Sequence, residues 1–115
     1  MMDKLKEALS NGDCNLAILH EGHINTFKGR GVRVLYHILD DAPELLLGSK
    51  LADKAVGRTA AKAMIDGGVA EIWAEIISQE ACEMLRSSGI KVSYQSKVDH
   101  ATFLKLWERM GETME

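Results

Sequence analysis

Cysteine is scarce in this chain. Cys14 and Cys82 are the only two, far apart, and they form no close-spaced motif. That excludes a disulfide framework and a paired-thiolate metal knuckle, and it fits reduced thiols in a cytoplasmic protein. Positive charge is not in excess either, since the net charge is −3. A binder of duplex nucleic acid or of a membrane surface presents a basic stripe, and none is present. No apolar run approaches the roughly 20 residues of a transmembrane helix. The opening MMDKLKEALSNGD is polar and periodic, without the apolar core of a signal peptide. There is no internal repeat, no low-complexity segment and no linker.

What remains is an ordinary globular balance, 46% hydrophobic and 27% charged over 115 residues. That length predicts one domain, residues 1–115, burying about two-thirds of its unfolded surface. Aromatics are few, at 5%, so Trp73 and Trp107 read as core or interface anchors.

Leu5, Ala8 and Leu9 keep helical spacing and predict a helix from Asp3 to Ser10. Leu16 to Leu19 reads as a buried strand, Glu21-Gly22 as a tight turn, and His23 to Phe27 as the returning strand of a hairpin. After a joint at Lys28 to Val32, the spacing of Val34, Leu35, Ile38 and Leu39 predicts a helix that stops before Pro43. The next helix is expected to start at Ser49 or Asp53. Its apolar face would be Ala52, Ala55, Val56, Ala60, Ala63 and Met64, with Gly57 inside it. Lys54, Arg58 and Lys62 would form a cationic ridge along it, and Gly67-Gly68 would end it. Val69 to Ile77 reads as a strand. Ser78 caps a helix through Ser87, closed by Gly89. Ile90, Val92 and Tyr94 alternate as a last strand, and Ala101 to Met110 is a last helix. Strands separated by helices require parallel pairing. The sum is an α/β fold, a three-layer α/β/α sandwich on a small mixed sheet.

The segment AEIWAEIISQEACEMLRSSGIKVSY, residues 70–94, resembles the strand, cysteine-bearing helix and following strand of zinc deaminases. Most of the chain resembles a family of small prokaryotic proteins known only as a domain of unknown function with a cytidine-deaminase-like fold. GRGV (29–32), LADKAVGRTAAKAM (51–64), IIS (76–78) and LRSSGIKVSY (85–94) carry that likeness. Members of the family often end in Cys-Pro-Met-Glu. The tail here is Glu112-Thr113-Met114-Glu115, without the cysteine and proline.

A zinc deaminase needs a His (or Cys)-x-Glu on one helix and a Pro-Cys-x-x-Cys on the next. The matching stretches are Gly57-Arg58-Thr59-Ala60-Ala61 and Ser78-Gln79-Glu80-Ala81-Cys82. One thiol remains where about three protein ligands are needed. The expectation is no zinc, no cofactor and no active zinc deaminase. In that fold the two helix starts face one cleft at the strand ends. The resemblance would line it with Gly57, Arg58, Thr59, Ser78, Gln79 and Cys82. Glycine admits close backbone approach, arginine grips anions in bidentate fashion, and helix starts favour negative charge. That is chemistry for a small anionic, nucleotide-like ligand. Equally, Gly57 serves close packing and the cations serve a solvated face.

Other candidates are weaker. Cys82 is a nucleophile near a helix start, or a buried structural thiol packed on Ile77. His20 and His23 flank the turn and could face each other, without an evident third ligand. His100 falls near the cap of the last helix and His37 at a helix edge. Asp40-Asp41, at a helix end, has no functional account. Three readings follow: a non-catalytic ligand-binding or sensor domain, a metal-free enzyme using Cys82, and a structural module with a vestigial cleft. Exposed sheet edges and two tryptophans favour a homodimer.

Overall fold

Leu5 and Leu9, four residues apart, place one buried stripe on the first helix, α1 (Met2–Asn11). In a computed structural model the chain is described over residues 2–11, 14–28 and 31–109. A hairpin follows, β1 (Leu16–His20) and β2 (His23–Phe27), in the register His20↔His23. Its two-residue loop has positive φ at both Glu21 (50°) and Gly22 (79°). That is the turn whose twist matches paired strands. Next comes α2 (Gly31–Asp41), which ends before Pro43. Ala42, directly before that proline, is pushed out of the helical region to φ −146°.

Here the structure departs from the sequence reading. Residues 50–56 are a strand, β3 (Lys50–Val56), and not the front half of a helix. Helix α3 (Arg58–Gly67) starts later, and neither Ser49 nor Asp53 caps it. Gly57 is its N-cap in extended conformation and does not interrupt it. Lys54 lies on the strand, so the expected ridge of three cations reduces to Arg58 and Lys62 on α3. The physical reason is position. β3 sits in the middle of the sheet, buried on both faces, so the polar alternation that marks a half-exposed strand is lost.

The remaining elements follow the expected order. Gly68, at φ 75°, ends α3, and β4 (Glu71–Ser78) leads into α4 (Gln79–Ser87). β5 (Lys91–Val98) and α5 (His100–Arg109) complete the described chain. Met110 and the tail 112–115 lie outside the described residues. The five strands form one mixed sheet in the order β2-β1-β3-β4-β5. β1 is antiparallel to β2 and β3, while β3, β4 and β5 are parallel.

Successive side chains on a strand point to opposite faces, and the core divides accordingly. Leu16, Ile18, Leu51, Ile72 and Ala74 meet α2, α3 and α4 in the larger cluster. Ala17, Ala52 and Trp73 meet Leu5 and Leu9 of α1 in the smaller one. Two alanines there make room for the indole, over which the Lys6 ammonium sits at 5.2 Å. Helices therefore flank the sheet on both sides, α1 on one and α2 to α4 on the other.

Candidate functional site

Because β3, β4 and β5 run parallel, each ends at the same edge of the sheet, and each is followed there by a helix. The starts of α3, α4 and α5 are thereby gathered together. Each is held differently. Gly57 gives α3 no side-chain cap. At α4, the Ser78 hydroxyl accepts a hydrogen bond from the Ala81 amide at 3.1 Å. At α5, Asp99 Oδ1 accepts from the Thr102 amide at 2.7 Å. The hydrogen bonds from Thr102 hold the Asp99 carboxyl below its ordinary pKa.

Three side chains from the three helix starts meet. Arg58 Nη2 lies 2.9 Å from His100 Nε2, and Arg58 Nη1 lies 3.4 Å from Glu80 Oε2. A guanidinium can only donate, so Nε2 accepts and the ring proton is on Nδ1. That nitrogen faces Glu80 Oε1 at 4.0 Å, too far for a hydrogen bond. The cluster is a half-exposed arginine with an internal carboxylate beside it.

Behind Arg58 lies a cavity of about 50 Å³, bounded by Gly57, Thr59, His100, Phe103 and Leu104. A single water needs about 10–15 Å³ by this measure, so the cavity has room for a small group, and Val32, Ala55 and Ala60 add to its apolar lining. Phe103 closes it. A Cβ built on Gly57 would stand 2.7 Å from Phe103 Cε2, closer than packed carbons tolerate. The backbone at Gly57 is extended, so here glycine serves the approach of the ring and not an unusual turn.

The structure thus gathers Gly57, Arg58 and Thr59 around one cavity. Ser78 is fully buried, with its hydroxyl engaged in the cap. Gln79 is exposed and donates to Glu83 Oε1 at 3.5 Å. Cys82 is 2% exposed and packed in the larger core cluster. Sequence reading missed Glu80 as a partner of Arg58, and it placed His100 only as a cap neighbour. The signal for both was positional: each stands within two residues of a helix start following a parallel strand.

His20 and His23 are cross-strand neighbours beside the turn. Among the described residues, no group of three or more His, Cys, Asp and Glu side chains is placed to hold a metal ion. The residues at the deaminase motif positions do not fit zinc: an arginine, a threonine, a glutamine and one buried thiol offer no ligand set. No described helix is long and apolar enough to cross a membrane.

A crystal structure of a DUF1893 family protein (TM1506) from Thermotoga maritima has a similar fold, with a TM-score of 0.74 at 24% identity. The match covers 84% of this chain and 65% of that one, so this chain spans just under two-thirds of that relative. No curated protein matches this chain. The model of one family, TM1506, matches residues 4–102, taking in every element from α1 to the start of α5, and the chain belongs to that family, the domain of unknown function DUF1893.

Proposed function

We propose that this is a non-catalytic ligand-binding or sensor domain for a small anionic molecule, built on a cytidine-deaminase-like scaffold without the zinc set. The carrying observation is the Arg58 guanidinium, presented at gathered helix starts and already holding a carboxylate, that of Glu80. An arginine that pairs with an internal carboxylate carries the donors that a ligand carboxylate or phosphate would need. The half-exposed pair leaves Glu80 free to swing away when a ligand group arrives. Thr59 and the backbone at the α3 start would add donors, with Gln79 at the margin. The cavity admits only the anionic end, so the remainder of a nucleotide-like ligand would lie across the surface.

The test is thermal shift with inorganic phosphate, simple carboxylates and nucleoside monophosphates. A ligand at a hundred times its Kd raises stability by about 2.7 kcal/mol. Arg58→Ala should weaken binding by about 1.5–3 kcal/mol, the scale of a charge-assisted hydrogen bond. Glu80→Gln should strengthen it, because the competing carboxylate is gone. Binding that is indifferent to both substitutions would refute the site.

A specific observation favours a second reading. The tight approach of Phe103 to Gly57 is the close packing expected of a structural module with a vestigial cleft. The third reading, a metal-free enzyme using Cys82, has least support, because its thiol is buried in the core. We include homodimerisation in the proposal, supported by β2 and β5 standing as the two edges of the sheet. Light scattering is expected to give twice the 12.7 kDa chain mass, and a monomer at micromolar concentration would refute it.

A further inference from the structure

A second cavity, of about 740 Å³, lies along α2 and shares no lining residue with the Arg58 cleft. Its size falls within the range of small-molecule sites, about 300–1,000 Å³. Two ridges of α2 build it. Val34 and Ile38, one turn apart, form the floor and are extended by Leu45 beyond the helix. Arg33, His37 and Asp41, also one turn apart, form an exposed polar rim. Phe27, at the end of β2, and Lys28, just beyond it, flank the other side.

Charge is graded along this cavity. Lys28 and Arg33 mark the end nearest the start of α2, where the helix dipole adds to their potential. His37 lies midway, and Asp41 marks the far end. We propose that the cavity binds an amphipathic monoanion, an apolar chain or ring bearing a single carboxylate. The carboxylate lies toward Lys28 and Arg33, and the apolar body covers Phe27, Val34, Ile38 and Leu45. Asp41 repels a second negative charge at the far end. A dicarboxylate of the same length is therefore disfavoured, and the uncharged alcohol loses the basic end. This site is independent of the proposed anion site at Arg58.

The test follows amide chemical shifts of the full chain during titration with decanoate, decanol and decanedioate. Decanoate should give saturable shifts confined to the segment 27–45, with decanol and decanedioate each binding at least about tenfold more weakly. The double variant Lys28→Gln, Arg33→Gln changes two exposed side chains. It should lower decanoate affinity about tenfold and leave decanol unchanged. Val34→Glu, which brings a carboxylate to the apolar floor, should abolish both, with folding checked by the unshifted spectrum elsewhere. Decanol binding as tightly as decanoate would overturn the proposal. So would shifts scattered outside 27–45, or no saturable shift at millimolar decanoate.

Discussion

The Arg58 cleft and the α2 cavity are built on opposite plans. At the helix starts, charged groups are crowded and room is short: Arg58 contacts both Glu80 and His100 in front of about 50 Å³. Along α2, room is ample, and charged side chains form a rim above an apolar floor. The first offers charge with little space, and the second has space for a ligand body. Topology explains the difference. Parallel strands gather helix starts, and gathered starts bring polar side chains together; the cavity along α2 lies instead beside the end of a hairpin strand.

Phe103 is the plug of the smaller cavity, so its removal should break the contrast most strongly. Phe103→Ala is expected to cost about 3–5 kcal/mol in denaturant unfolding, through lost burial and the hollow left behind. The side chain is 3% exposed and belongs to the larger core cluster, so little relaxation is open to it. In return the cleft would gain the space that the ring now fills. A cost below about 1 kcal/mol would show that the ring is not packed as described.

The next effect is smaller and tests the same contact from the other side. Gly57→Ala should cost about 1–3 kcal/mol, because the new methyl group meets the ring at 2.7 Å. In a Phe103→Ala background the same substitution should be close to neutral. If the cost persists there, it arises from the backbone or from the α3 cap and not from the ring.

How far the sequence foretold this arrangement depends on which signals were local. The hairpin turn at Glu21-Gly22, the Pro43 stop, the Ser78 cap and the Gly68 and Gly89 ends each depend on a few neighbouring residues, and each was legible. β3 was not. Leu51 to Val56 is rich in alanine, carries Asp53 and Lys54 at its middle, and runs into a real helix at Arg58. Its alanines fit helical spacing as well as they fit a strand. Only the sheet explains them: Ala52 lies beside Trp73 on the next strand, and Asp53 is 1% exposed with its carboxylate accepting from the Ala55 amide at 3.3 Å. The site was half legible for the same reason. Arg58 could be singled out from its neighbours, but Glu80 and His100 come to it through pairing of strands far apart in sequence.

The smallest expected effect concerns that cluster and separates what it does for binding from what it does for folding. The Arg58–Glu80 pair is about half exposed on both sides, at 53% and 47%. An ion pair in such high-dielectric surroundings gains little attraction, and ordering two long side chains offsets part of it. Arg58→Ala alone should therefore change stability by less than about 0.5 kcal/mol. A double-mutant cycle with Glu80→Ala should give a coupling between zero and about 1 kcal/mol, falling as salt is raised. His100 adds a hydrogen bond to the same guanidinium, so the cycle should be repeated with His100→Ala to divide the two contributions. A coupling well above 1 kcal/mol that resists salt would mean that the three side chains act as a structural clasp joining α3, α4 and α5. Arg58 would then be committed to the fold, and a ligand anion could recruit it only by breaking that clasp.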